Sequence, residues 1–418
     1  MKILFVTASF LKSKDDKILD AVYEFVSSFE QKGHEGMVVS AHCPGIPRED
    51  VINGIRVKRF VYFYPEKLEK LAYGVGIPSN IRESNLAKIQ IIPYVLCCMN
   101  KVREAINEFK PDVVHAIWAF PQGTACALLK KLKPFPLVVS VVGSEAYLAK
   151  RFHFPSLVSF AANSADTVTA NSIASKNAAI RCGVKNKDFE IIYWGIDKKR
   201  FNPKVSRTEL RKRLKLGNRK IILTVAKLIE KKGVRYLIQA MPAVLKKFPD
   251  AKLVIGGDGP QKEELQQLAK NLNLQNSVIF LGWVSMDDLP ICYRAADVFV
   301  LAAATDELGV PEGGQALVTK QAMASGTAVI STNIGGIPDL VKNNKTGLLV
   351  EEKNPEQLGE AIIRILGDKK LRQNLIRNAH KLVEREATWD VIIEKYIKLY
   401  SRVIKKQGRL PAHKGGAE

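Results

Sequence analysis

The sequence lacks several features that would place it in a special class. No run approaches about 18 consecutive apolar residues, which excludes a membrane-spanning helix of the usual kind. The six cysteines are scattered, with neither the paired spacing of a zinc site nor a disulfide framework. Even Cys97-Cys98, adjacent in a helix-like apolar run, reads as free thiols in a reducing compartment. The opening MKILFVTASF carries a charge and an apolar run but no small-residue cleavage site, so it reads as a first buried strand rather than a signal peptide. No nucleic-acid-binding module is recognisable. Carboxylates are scarce relative to cations, 42 Asp and Glu against 64 Lys and Arg, which leaves a formal net charge of +22. Such a surface attracts phosphates, nucleic acid or anionic lipid headgroups, unless it is simply a solvated, lysine-rich surface of the thermophile kind.

What is present is the composition of a globular protein: 418 residues, 46% hydrophobic and 25% charged, enough for two domains with sizeable cores. Lys2 to Thr7 is an apolar strand. A glycine-free polar loop, Ala8 to Asp16, leads to a helix with Ile18, Leu19, Val22, Phe25, Val26 and Phe29 on one face, and Met37 to Ser40 returns as a strand, giving a βαβ unit. Residues His42 to Asn85 are aromatic and broken by Pro and Gly, with a hairpin expected over Val51 to Val61. Ile89 to Phe109 reads as a helix, and short apolar runs at Asp112, Leu137, Asp166, Phe189, Ile221, Lys252, Val278 and Asp297 read as strands of an α/β protein.

The most informative stretch is Val298 to Val341. A short apolar strand turns into an acidic, Gly-rich loop (Asp306 to Gly314), then a helical segment to Ala324, a second strand at Thr327 to Ser331, and the loop Gly335-Gly336-Ile337-Pro338. In open α/β sheets ligands bind beyond the carboxyl ends of the strands, where these loops lie. A helix starting near Gly313-Gly314 would aim unpaired N–H groups at a phosphate or diphosphate there; an ordinary βαβ unit with Gly in its turns explains the pattern equally well.

The stretch resembles the donor-binding segment of family-4 retaining glycosyltransferases. Ala322-Met323-Ala324-Ser325-Gly326 and Val329-Ile330-Ser331 match that family's pattern; its two glutamates fall on Gly313, with Glu312 adjacent, and on Gln321. The similarity runs from Met1 to about Ile404. It includes His115-Ala116-Ile117-Trp118 with Pro121-Gln122-Gly123, Gly143-Ser144-Glu145, and Trp194-Gly195-Ile196-Asp197. It continues through Lys227 to Gly233, Gly256-Gly257-Asp258-Gly259-Pro260 and Gly282-Trp283-Val284. Where the relatives carry a histidine that binds the donor sugar, this chain has Val142, which neither donates a hydrogen bond nor takes a proton.

The resemblance implies an α/β fold of two Rossmann-like domains facing a cleft, of GT-B type. The N-terminal, acceptor-side domain would span 1–198, with a helix at 388–405 crossing back onto it. The C-terminal domain, 199–387, would bind the nucleotide sugar, and 406–418 would be a disordered tail. It implies a glycosyltransferase that moves a sugar, with retention and without metal or other cofactor, from a nucleotide-diphosphate sugar to a saccharide or lipid-linked acceptor. The setting would be the cytoplasm or the inner face of the cell membrane, with an anionic membrane surface as partner and no nucleic acid. Lys227, Lys232 and Glu312 would be the catalytic groups, the lysines neutralising the diphosphate as the glycosidic bond breaks. Gly256, Gly257, Trp283, Val284, Gly313, Gly314, Gln315, Ala316 and Gln321 would contact the donor, and Lys14, His115 and Glu145 would lie on the acceptor and sugar side. His115 has a competing reading as a buried core histidine, and Trp283 as a core tryptophan. The departures at Val142, Gly313 and Gln321 leave a second possibility: a binding or regulatory subunit that has kept the fold and lost the chemistry.

Overall fold

The computed structural model describes residues 1–14, 16, 21–74, 76–149, 151, 154–307, 309–311, 314 and 316–408. These form two compact units, Met1–Tyr193 joined by the chain from Ile392, and Trp194–Val391. The first unit closes after Tyr193 rather than after Lys198, because the next residues belong to the second. There the Ile196 N–H donates to the Ala387 carbonyl (2.9 Å) and Ile196 bridges Thr388. Gly195 lies so close to Trp389 that a Cβ would sit 2.4 Å from its ring.

The first unit is built on eight strands: β1 (Lys2–Thr7), β2 (Glu35–Ala41), β3 (Glu49–Ile52), β4 (Ile55–Phe60), β5 (Val113–Ile117), β6 (Leu137–Val141), β7 (Thr167–Ala170) and β8 (Phe189–Ile191). Their order across the sheet is β3-β4-β2-β1-β5-β6-β7-β8, parallel except for the β3–β4 hairpin. That hairpin follows from Asn53-Gly54, both at positive φ (50° and 90°), the geometry of a type I′ turn. The second unit has six strands, all parallel: β9 (Ile221–Val225), β10 (Lys252–Gly256), β11 (Val278–Gly282), β12 (Val298–Leu301), β13 (Ala328–Thr332) and β14 (Leu348–Val350). Their order is β11-β10-β9-β12-β13-β14. Helices cover a parallel sheet on both faces, so its strands read as continuous apolar runs: β5, β6, β9, β12 and β13 are buried at every position.

The expected first helix is present as Ala21–Glu30, burying Val22, Phe25, Val26 and Phe29; Ile18 and Leu19 lie outside the described residues. The sequence reading missed an 18-residue helix, Lys369–Glu386, which buries only Leu375, Ala379 and Val383. Three apolar residues four apart in a charged background give a stripe too narrow to stand out. The last helix runs Trp389–Lys406. Among the described residues no helix is long and apolar enough to cross a membrane.

Candidate active site

In the second sheet β9 continues to β10 and β11 on one side, while β12, β13 and β14 lie on the other. The strand order therefore reverses between β9 and β12, and the crevice outside their carboxyl ends is where such a sheet takes a ligand. Four loops leave that edge, and backbone bonds lace them together. The Ala226 N–H donates to the Gly256 carbonyl (3.0 Å), Leu228 to Asp258 (2.9 Å), Gly257 to Gly282 (2.7 Å) and Ala304 to Lys231 (2.9 Å).

The glycines make this lacing possible. A Cβ on Gly257 (φ 129°) would lie 1.9 Å from the Ala226 carbonyl oxygen, and one on Gly233 (φ 61°) 1.8 Å from that of Ala302. At Gly256 a Cβ would meet the Val284 side chain at 2.7 Å. Gly256 and Gly257, expected as donor contacts, thus owe their identity to loop-on-loop packing. Val284 serves the same contact and is half-buried.

On this laced frame the expected cations are displayed. Lys227 is exposed, directly after β9, and Lys232 is half-buried at the end of the turn Glu230–Lys232. Trp283 follows β11 and is 67% exposed, which removes the core-tryptophan reading and leaves the indole face open to stacking. The loop after β12 is anchored by Glu352, whose carboxylate accepts from the Thr305 N–H and hydroxyl, the latter at 3.0 Å. The Asp306 side chain then closes a turn by accepting from the Val310 N–H at 2.9 Å. Glu312, Gly313 and Gln315 lie outside the described residues. Gly314 is half-buried, and the helix that follows starts at Leu317, not near Gly313-Gly314. Ala316, buried and at φ 49°, breaks helical continuity immediately before it.

Gln321 is placed differently from the expectation that it meets a ribose. It is 1% exposed, and its amide oxygen accepts a hydrogen bond from the Tyr293 hydroxyl at 2.9 Å. Its neighbour Lys320 was not anticipated: no pattern in the sequence marks it. Its ammonium, fully buried, donates to the Trp194 carbonyl at 2.6 Å, and burial pushes its pKa down to about 7. It ties the helix Leu317–Ala324 to the segment where the second unit begins.

The corresponding edge of the first sheet is more introverted. Lys14 is exposed in the loop after β1. His115, in contrast, is not available to an acceptor. It is buried on β5, with Nδ1 2.6 Å from the Tyr400 hydroxyl and Nε2 2.7 Å from Ser140 Oγ, so both ring nitrogens are taken. The chain continues from Ser140 to Thr169 (2.6 Å) and Tyr396 (3.4 Å), docking the returning helix on the sheet. Burial drops the imidazole pKa to about 3. Glu145 is likewise engaged. Its carboxylate accepts from the N–H groups of Val142 (2.9 Å), Gly143 (3.0 Å) and Ala119 (3.4 Å), joining the loops after β5 and β6. Burial raises its pKa despite those bonds. Glu145 thereby shapes this edge from within. Among the described residues no three His, Cys, Asp or Glu side chains gather as a metal site.

Two family models match the chain: Glycosyltransferase Family 4 over residues 21–200 and Glycosyl transferases group 1 over residues 206–382. An uncharacterized glycosyltransferase of Methanocaldococcus jannaschii is 27% identical over 394 residues, 89% of this chain and 96% of the relative. A GDP-mannose-dependent alpha-(1-6)-phosphatidylinositol monomannoside mannosyltransferase of Mycobacterium tuberculosis is 34% identical over 202 residues, 48% of this chain. The match spans about half (52%) of that relative's length. Among solved structures, HepE of Anabaena in complex with UDP superposes with a TM-score of 0.74 at 21% identity, over 96% of this chain and 100% of that one.

Proposed function

The chain belongs to the family-4 glycosyltransferases, of GT-B fold and dependent on a nucleotide sugar, and from that premise we propose that it transfers a hexose with retention, without a metal, to a saccharide or lipid-linked acceptor. The setting would be cell-surface polysaccharide or glycolipid synthesis on the cytoplasmic side of the membrane. The observation that carries this reading is the pair Lys227 and Lys232, held on one loop at the switch point of the second sheet by a frame of backbone bonds. Two ammonium groups carried on a held loop at that edge suit a diphosphate whose charge grows as the glycosidic bond breaks, and their charge would do the work of a metal ion. The bond from the sugar carbon to the phosphate oxygen breaks through an oxocarbenium-like state. The acceptor oxygen then bonds the same carbon from the same face, and its proton passes to the departing diphosphate oxygen. In this reading the exposed Trp283 would stack on the base, and Glu312 or the Gly313-Gly314 backbone would hold sugar hydroxyls. The HepE complex with UDP and the GDP-mannose-dependent relative differ in nucleotide, so the base is left to experiment.

Calorimetric titration with UDP, GDP and ADP, with and without Mg²⁺, tests the reading. Saturable, metal-independent binding of one nucleotide, abolished by Lys227→Ala with Lys232→Ala, is expected; no binding of any of the three overturns it. A second reading, a non-catalytic binding subunit, is favoured by Gln321, whose amide oxygen is engaged by Tyr293. It predicts nucleotide binding with no turnover of any nucleotide sugar, by hydrolysis or transfer.

A further inference from the structure

The first unit carries apolar side chains that no described residue covers. Ile89, Ile92 and Leu96 are 67%, 71% and 48% exposed, at a spacing of three and four along the short helix Asn85–Ile89 and its continuation Ile91–Phe109. The four-residue spacing sets Ile92 and Leu96 on one face of the longer helix, and Ile89 ends the shorter one just before it. Leu68, also exposed, is brought beside them by Gln90: its buried amide donates to the Leu68 carbonyl (2.6 Å) and accepts from the Lys70 N–H (2.9 Å). Tyr64, 84% exposed, precedes this segment. Singly exposed apolar residues need no explanation, but a contiguous stripe marks an interaction site.

The surroundings of the stripe say what fits it. Lys67, Lys70, Lys88 and Arg103 are exposed near it, Arg103 on the same face of the longer helix as Ile92 and Leu96. The nearby carboxylates are engaged elsewhere: Glu66 by Arg48, Glu69 by His42 at 2.7 Å, Glu83 by Arg82 at 3.3 Å and Glu104 by Lys101. The patch is therefore apolar at its centre and cationic at its rim. A second copy of the same patch would meet it with like charge. An anionic bilayer offers the complement, headgroups for the cations and an acyl boundary for the apolar side chains.

We propose that the face built from Leu68, Ile89, Ile92 and Leu96, rimmed by Lys67, Lys70, Lys88 and Arg103, seats the first unit on an anionic lipid surface. It deepens the proposed function, on which it rests for its purpose, by giving a lipid-linked acceptor a membrane-facing entry. The contact is the shallow one of an interfacial helix, not a span.

The test is co-sedimentation of the full chain with vesicles of phosphatidylcholine alone and with one-third phosphatidylglycerol, at low and at high salt. Wild type binds the anionic vesicles and is weakened, not abolished, by salt. Ile92→Glu with Leu96→Glu lowers vesicle affinity tenfold or more. Replacing the four rim cations by Gln lowers it at least as much, since each basic residue beside an anionic surface contributes roughly fivefold. Both variants alter exposed side chains only and keep the melting temperature and nucleotide binding of wild type. Wild-type binding by the Ile92→Glu/Leu96→Glu protein would overturn the proposal and assign attachment to charge elsewhere. So would a concentration-dependent dimer that this variant dissolves, which would make the stripe an interface between copies. Nucleotide titration of the same samples separates the two readings: vesicle binding without nucleotide binding defeats the transferase assignment, and the reverse defeats the membrane face.

Discussion

The carboxyl edges of the two sheets hold their loops with different balances of main chain and side chain. On the second sheet main-chain bonds and glycine do most of the lacing, with Glu352 and Asp306 fixing the loop after β12, and Lys227 and Trp283 stay displayed and Lys232 half-buried. On the first sheet side chains do the lacing: Glu145 binds three backbone N–H groups, and His115 links β5 to Ser140 and Tyr400. His115, in the middle of β5, and Glu145 are thus tied into the packing of the first unit, whereas the loops of the second sheet keep Lys227 and Trp283 exposed.

This contrast can be broken experimentally. The largest effect is expected at the second edge. Lys227→Ala with Lys232→Ala should reduce kcat/KM for transfer by about 10³-fold or more, since removing one such electrostatic group costs about 10²–10³. The melting temperature should hold. A loss confined to stability would show that the pair is not at the site. Gly233→Ala should come next, because its Cβ would meet the Ala302 carbonyl at 1.8 Å. Urea unfolding should show a destabilisation of about 3 kcal/mol, and unchanged stability would remove the lacing argument.

At the first edge His115→Phe leaves Tyr400 and Ser140 without their partner and should cost about 2 kcal/mol of stability, while nucleotide affinity stays within about twofold. A collapse of transfer with stability intact would restore His115 to the acceptor side. The same residue predicts a pH dependence. Its folded pKa lies near 3, below the ordinary 6.5, so between those values the unfolded chain binds a proton that the folded chain refuses. Stability therefore falls as pH drops from 6.5 toward 3, with a slope of up to about 1.4 kcal/mol per pH unit from this group, and His115→Phe removes that share. The smallest effect belongs to Trp283→Ala, which should weaken nucleotide binding by about 1–2 kcal/mol through lost stacking, read by calorimetry.

Much of the fold was legible because parallel strands buried on both faces announce themselves as short runs of Val, Ile and Leu, and β9 begins at Ile221, where the sequence placed a strand. The hairpin expected over Val51 to Val61 is present as β3 and β4, starting two residues earlier, at Glu49. The helix Lys369–Glu386 was not, because three buried positions among charges carry too little periodic signal. Exposure was legible where a motif lies within one loop, as with Lys227 to Gly233, whose lysines stand exposed or half-buried after β9. Hydrogen bonds to remote partners, as between Gln321 and Tyr293 or His115 and Tyr400, left no local sign in the sequence.

The sequence by itself determined the order of strands and helices, the family, and which loops leave the carboxyl ends of the strands, because those follow from local patterns of burial and turn. The tertiary structure alone decided which polar groups at those ends face outward. Tyr400 lies 285 residues from His115 and Trp194 lies 126 from Lys320, and only the packed fold brings each pair within hydrogen-bonding reach, where burial makes the bond obligatory and takes the group away from any ligand.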